Sequence, residues 1–411
     1  MPIAPDSLFF DPRAEGTLQA QLQQMVAERI LSGHYRTGEK MPSSRRLAQH
    51  LGISRMTVTL AYTELMADDY LTSRGRSGYY VSQDAPRPPN FAPRRSAGRV
   101  DWGRVLVAAP PRPGPEKPED WRRYRYPFIY GQTDPALFDH ANWRLCALRA
   151  LGRQDFEAMT ADAYAADDPQ LVEFIARHIL PRRGILAGSD EILITLGAQN
   201  ALWLTAQVLL GTGRVAGIED PGYPALRDIL ARSGCSVLPV PLDDEGVDPE
   251  RIDPSVEVMF TTPSHQCPTT ATMPIERRRA LLDLASRRNM LIVEDDYEVE
   301  LAPARPNPAL KSLDDEGRVL YVGSFSKTLF PGLRLGYLVG SAPFIAAARA
   351  LRSSVIRHPP GHVQRTTAHF LSLGHYDAMM RRMARVLLER RRVMGAAIAA
   401  QGLGLAGDGG G

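Results

Sequence analysis

The stretch GSFSKTLFPGLRLGY, residues 323–337, holds Lys327, one of four lysines in a chain with 49 basic residues. A primary amine condenses with an aldehyde and a guanidinium does not, so a chain this rich in arginine keeps a lysine where amine chemistry requires one. Asp295 lies one residue past the apolar run MLIV (290–293), and Lys327 lies a few residues past VLYV (319–322). A buried carboxylate and an amine at neighbouring strand ends suit pyridoxal phosphate: the carboxylate keeps the pyridine nitrogen protonated, and the amine forms a Schiff base with the aldehyde. Tyr297 is placed to hydrogen-bond the ring hydroxyl. Ser324, Ser326 and the Arg334 guanidinium are phosphate donors. TLGAQNALWL (195–204) adds a glycine, Gly197, opening a helix whose first N–H groups, at Ala198 and Gln199, can receive an anion. DPGY (220–223) sets Tyr223 near the same edge, where its face can stack on a ring. Each residue also has a plainer reading, Lys327 as a snorkelling surface lysine and EDDY (294–297) as a solvated turn or half a metal site. Their order along one chain argues for a shared site.

These residues need strands to carry them. From residue 127 onward short apolar runs alternate with helical periods, as in EILITL, ALWLTAQVLL, VEVMFTTP, RRRALLDLASRRN and MLIVEDDY, which predicts an α/β domain with a mostly parallel sheet. Ligands of such sheets gather at the carboxyl ends of the strands. Residues 83–126 are dense in proline and arginine, with ten basic against five acidic residues, and read as an extended linker.

Residues 1–82 read as helical. Leu18, Leu22, Met25, Val26 and Ile30 recur at helical steps before Gly33, Ser43 or Ser44 can cap a helix ending near Leu51, and Gly52 permits a turn. Ser54 then caps a second helix with Val58, Ala61, Tyr62 and Leu65 inward, and YLTSRGRSGYYV reads as a hairpin. The result is a winged helix-turn-helix. Arg55, Thr57 and Thr59 fall at the start of the second helix, Arg45 and Arg46 on the first, and Arg74 and Arg76 on the wing. That is where this motif places its contacts to DNA, whereas Asp68 and Asp69 close the far end.

The bulk properties exclude little. A net charge of +3 and a pI near 8.7 permit nucleic-acid binding without arguing for it. Three well-separated cysteines, Cys146, Cys235 and Cys267, rule against a disulfide framework or a standard zinc site and fit a reducing cytoplasm. Neither a signal peptide nor a membrane-spanning apolar run is evident, so a soluble intracellular protein is expected.

The segment of about 17–82 resembles the GntR-type winged-helix DNA-binding domain, visible in ILSGHYRTGEKMPSSRRLAQHLGISRMTVTLAYTELMADDYLTSRGRSGYYV. The resemblance implies a bacterial transcription regulator, with Ser54, Arg45, Arg55, Thr57 and the wing glycine Gly78 at DNA-facing positions. Residues 127–411 look like fold-type I aminotransferases, through GQTDPALF, TLGAQNAL, EDPGY, PSHQCPTTATMP, VEDDYE and GSFSKTLFPGLRLGY, and the union resembles the MocR/GabR family of regulators. It implies pyridoxal 5'-phosphate on Lys327, Asp295 at its ring nitrogen, Tyr297 and either Gln266 or His265 at the ring hydroxyl, Tyr223 stacked, and a head-to-tail homodimer bound to operator DNA on the nucleoid.

Two departures bear on the pocket mouth: AYAADDPQLVEF lacks a glycine usual before that helix, and Thr270 stands where glycine is common. Only 84 residues follow Lys327, so the small C-terminal subdomain and its carboxylate-binding arginine have no assignable positions, and a fragment is expected. HQCPTTATMP and RHPPGHVQRTTAHFLSLGHYDA are similar to the branch regulating ectoine use, which implies a diaminobutyrate-type effector. The expected function is sensing of an amino-acid-like amine by transaldimination, not enzymatic turnover. An aminotransferase with an appended DNA-binding domain is the alternative, and a DNA-binding protein with a vestigial dimerisation domain a third.

Overall fold

The computed structural model describes residues 2–10, 16–86, 98–106, 118–129, 131–162, 165–297 and 307–404, with the side chains of Arg76 and Ala158 left outside the description. The chain divides into two compact units, residues 1–107 and 108–411.

In the first unit, α1 (Leu18–Leu31), α2 (Ser44–Leu51) and α3 (Arg55–Ala67) precede a hairpin of β1 (Leu71–Ser73) and β2 (Tyr79–Val81). Each helix begins on a hydroxyl cap: Thr17 accepts from Ala20 N, Ser43 from Arg46 N and Ser54 from Thr57 N. Of the two serines that can cap α2, Ser43 does so and Ser44 is buried. Gly52 takes the left-handed conformation (φ 68°) that turns α2 into α3. Leu22, Val26, Leu47, Val58, Ala61, Tyr62 and Leu65 form the core, while Leu18, on the helical period, is 47 % exposed. The linker departs from a purely extended reading. A short helix α4 (Trp102–Val105), capped by Asp101, and a 3-10 turn at Trp121–Arg123 interrupt it, while 87–97 and 107–117 lie outside the described residues.

The second unit is built on an eight-stranded sheet. Its strands are β3 (Ile192–Thr195), β4 (Val215–Asp220), β5 (Ser236–Asp243), β6 (Gly246–Val247), β7 (Val258–Thr261), β8 (Leu291–Asp296), β9 (Val319–Ser324) and β10 (Gly336–Val339). Its helices are α5 (His140–Ala150), α6 (Arg153–Thr160), α7 (Pro169–Phe174, running on into a π turn to Ile179), α8 (Ala198–Leu209), α9 (Pro224–Ser233), α10 (Ile275–Arg288), α11 (Ala342–Val355), α12 (Gly361–Ser372) and α13 (His375–Ala399). The strand order is β3-β10-β9-β8-β7-β4-β5-β6, parallel through the centre, with β10 antiparallel to both neighbours and β6 antiparallel at the far edge. This is the mostly parallel α/β sheet expected from the alternating runs.

Strand periodicity divides the core between the two faces of the sheet. Leu193, Val293, Leu320, Val322 and Leu338 point to the face covered by α8 and α11, whereas Ile192, Ile194, Tyr321, Tyr337 and Val339 point to the face that meets α7, α12 and α13. The outer edge of β3 is closed by charge. Arg349 Nη2 donates to Ile192 O (3.0 Å), Arg352 Nη1 donates to Ile194 O (2.6 Å), and Ile194 N donates to Asp167, which also pairs with both arginines. Pairing the free backbone groups of an edge strand with side chains blocks addition of a further strand.

Candidate functional site

In the first unit, Arg55 is exposed at the start of α3, with its Nε donating to Ser44 Oγ (3.3 Å). Ser54 and Thr57 share a hydroxyl contact of 2.8 Å, so Thr57 is half-buried and held in place. Thr59 Oγ1 donates to Arg55 O (2.9 Å), which turns that hydroxyl back onto its own helix. Arg45 and Arg46 are exposed on α2. Gly78 adopts φ 105° and ψ −159°, a conformation open only to glycine, and Arg74 is exposed beside it, whereas the Arg76 side chain lies outside the described residues. Sequence reasoning passed over Met56, 65 % exposed in the first turn of α3, because a methionine beside a recognition helix reads as core until its burial is known.

In the second unit, pairing of Gly336 with both Thr195 and Ser324, and of Asp295 with Val322, aligns several chain segments along one edge of the sheet. Leu196–Gly197, Tyr223, Thr262, Asp295–Tyr297, Ser324–Lys327 and Arg334 all follow or precede strands at that edge. Lys327 Nζ lies 5.7 Å from the centre of the Tyr297 ring. The chain passes close at Gly131 (φ 70°), where a Cβ would sit 3.7 Å from the same nitrogen. Arg334, itself left-handed (φ 51°), donates from Nη2 to Leu196 O (3.0 Å). Its guanidinium abuts Gly197 (φ 80°), where a Cβ would come within 3.2 Å of Nη2. No side chain caps α8, so the amides of Ala198 and Gln199 begin that helix beside Arg334. Ser326 N donates to Ser324 Oγ (3.1 Å).

Within the EDD run of β8, alternation sends Asp295 to one face and Glu294 and Asp296 to the other. Asp295 Oδ1 is shielded from water and accepts no hydrogen bond, and burial together with the charges of Asp296 and Glu219 pushes its carboxyl up to about 7. A cavity of about 20 Å³ beside it is lined by Gly222, Tyr223, Thr262 and Val293. Gly222 is required there, since a Cβ would fall 2.3 Å from Glu219 O. On the other face, Asp296 Oδ2 accepts from Arg183 Nε and Tyr321 Oη, both at 2.7 Å, and Glu294 accepts from Leu310 N and Lys311 N. Burial pushes the Glu294 carboxyl upward as well. The EDDY segment is therefore not a solvated turn, and among the described residues no cluster of three His, Cys, Asp or Glu side chains can hold a metal.

Gln266 requires correction as a candidate ring contact. It is fully buried, its Nε2 donates to Glu219, Pro221 O and Cys267 O, and its Oε1 accepts from Thr269, so no polar atom of its amide turns to the edge. His265, the other candidate, has its ring centre 6.1 Å from that of Tyr297.

Residues 18–81 match the gntR family of bacterial regulatory proteins, and residues 158–411 match aminotransferase class I and II. Over its whole length the chain is 57 % identical to the HTH-type transcriptional regulator TauR of Rhodobacter capsulatus, covering 85 % of that protein. The chain belongs to the MocR-type transcriptional regulators. Its 94 % match at 32 % identity to 78 % of the probable rhizopine catabolism regulatory protein MocR of Rhizobium meliloti points the same way. Among solved structures, the kynurenine aminotransferase of Pyrococcus horikoshii aligns with a TM-score of 0.61 at 29 % identity, over 66 % of this chain and 69 % of that one. LysN, the α-aminoadipate aminotransferase of Thermus thermophilus complexed with a phosphopyridoxyl-leucine, aligns with a TM-score of 0.60 at 29 % identity, over 66 % and 70 %. The cofactor of this MocR-type regulator is pyridoxal phosphate. The geometry fits that group at two independent points: an orphaned buried carboxylate oxygen can receive a cationic N–H, and an uncapped helix start lies beside the Arg334 guanidinium, a donor set suited to a dianion.

Proposed function

We propose that this regulator reads operator DNA with its winged helix and senses an amino-acid-like primary amine at the sheet edge. The observation that carries the reading is the pairing of a lysine and an unpartnered buried Asp295 oxygen on one edge, in a chain that also bears a DNA reader. Pyridoxal phosphate, when bound, supplies an aldehyde carbon for which any primary amine competes with the lysine. Lys327 supplies the resident amine, and Tyr297, 5.7 Å from its Nζ, limits how that amine can turn. Asp295 would hold the proton of the ring nitrogen, and Arg334 with Ser324, Ser326 and the start of α8 would hold the phosphate. Tyr223 would cover one face of the ring, and Tyr297 with His265 would serve the hydroxyl side. An effector switches transcription only if it favours one arrangement of the protein over another.

Turnover is not required for this function, and the relatives named above as transcriptional regulators support a sensing role. The apolar residues exposed along and just after α5 and on α6, Leu145, Leu148, Leu151 and Phe156, each more than half exposed, support burial of this face in a homodimer. Cytoplasmic residence on the nucleoid follows from operator binding, and no described helix is long and apolar enough to cross a membrane. The ectoine-related motifs make diaminobutyrate one effector to test. A panel of amino acids and diamines is titrated into the purified protein while its visible absorption and its affinity for DNA from its own upstream region are followed. The reading requires one amine to move both signals, without release of a keto acid; keto-acid production at a steady rate would favour the aminotransferase alternative.

A further inference from the structure

The segment 38–41 runs alongside β2 as a third strand of the wing. Met41 N donates to Tyr79 O, Val81 N to Glu39 O and Gly38 N to Val81 O, all at 2.9 Å. Lys40 is thereby set directly opposite Tyr80 across an antiparallel bridge, and opposed residues project to the same face. Its Nζ lies 5.8 Å from the centre of the Tyr80 ring, and the Arg74 guanidinium lies 4.6 Å from it. Ser77 Oγ meets the phenol oxygen at 2.6 Å and ties the turn of the hairpin to the same ring. Lys40 and Arg74 are both exposed, and neither has a carboxylate partner among the described residues.

Two like charges gathered on one ring repel, and each cation–π contact at an exposed site returns only about 0.5–1 kcal/mol. No acidic group is among the charges acting on Tyr80, whose phenol is held below its ordinary range by the Ser77 hydroxyl first and then by the two cations. The neighbouring carboxylate, Glu39, is committed to Arg36 N (2.9 Å). An anion docking between the two cations from outside would relieve that repulsion. We propose that Lys40, Arg74 and the Tyr80 hydroxyl form a clamp for one phosphate of the DNA backbone, with Lys40 its added and deciding member. Resting on the DNA-reading function, the clamp adds a contact that carries no sequence information, because phosphate contacts position a protein and base contacts specify its site.

The test measures binding of the full-length, cofactor-loaded protein to two duplexes, one from its own upstream region and one of random sequence, over a series of salt concentrations. For Lys40→Gln the slope of log affinity against log salt falls by about 0.9 for each winged helix engaged, and affinity drops by a similar factor on both duplexes. Lys40→Arg restores the slope, which separates lost charge from lost fold, and Tyr80→Phe weakens binding while leaving the slope unchanged. The visible absorption of the cofactor stays as in the parent in all three. An unaltered slope and affinity in Lys40→Gln, with the parent still binding, would overturn the clamp. So would a loss confined to the upstream duplex, which would make Lys40 a base reader. Absence of parent binding to either duplex would instead remove the DNA-reading function on which the clamp rests.

Discussion

Asp295 lies on the Val293 face of β8, with Glu219 in the wall of the same cavity and Asp296 next in the chain, so its charge meets two others of like sign. In an unfolded chain an aspartate titrates near 4, whereas here the carboxyl is pushed up to about 7. The folded, cofactor-free protein therefore holds this proton more tightly than the unfolded chain, and the residue's contribution to stability falls as pH rises from about 4 through about 7 and is level above. Asp295→Asn removes that dependence, so in cofactor-free protein the melting temperature of the variant gains on the parent across this interval. With cofactor present the sign reverses. Loss of a charge-assisted hydrogen bond of about 1.5–3 kcal/mol weakens cofactor binding by about 10- to 150-fold, measured by equilibrium absorption titration. A melting difference that does not vary with pH would contradict this assignment. The position of Asp295 at a strand end was legible because an apolar run announces its own end. Gln266 was misread because nothing in HQCP discloses that its amide is enclosed by Glu219, Pro221 and Thr269, which come together only when β4 and β7 pair.

The elements beneath the edge are held by groups distant in sequence. Arg183, at the end of the turn after α7, reaches Asp296 across 113 residues and also bonds Asn307 O and Ser264 Oγ. Arg183→Ala leaves Asp296 buried without its cation, and a loss of about 3–5 kcal/mol in unfolding free energy is expected by denaturant titration. Gly197→Ala acts at the other end of the edge. It forces a side chain into a left-handed position and against Arg334, costing about 1–2 kcal/mol of stability and weakening cofactor binding, with calorimetry and absorption titration as the respective checks. Local signals made the elements legible: capping hydroxyls at Ser43 or Ser44 and at Ser54, the glycine turn at Gly52, and apolar runs of strand length; the Thr17 cap of α1 emerged only in the structure. The buried arginines Arg183, Arg278, Arg352 and Arg365 were not legible, since an arginine in an arginine-rich chain carries no sign of burial until its carboxylate or carbonyl partner is known.

For the whole molecule, the gntR-type segment and the aminotransferase-type domain lie in different compact units, and single substitutions should separate DNA reading from cofactor binding. Arg55→Ala is expected to weaken duplex binding by about 1–3 kcal/mol while leaving the cofactor's absorption untouched, as judged by anisotropy and absorption on the same sample. The most direct measurement is the affinity for upstream DNA with and without an effective amine, in the parent and in Lys327→Ala, each checked for its visible absorption. The predicted result is that the amine shifts both absorption and DNA affinity in the parent, and that Lys327→Ala loses the lysine-bound absorption band and binds DNA with an affinity that no longer follows the parent's amine response. A Lys327→Ala protein that keeps the parent's absorption band and the parent's DNA response to the same amine would contradict the central claim.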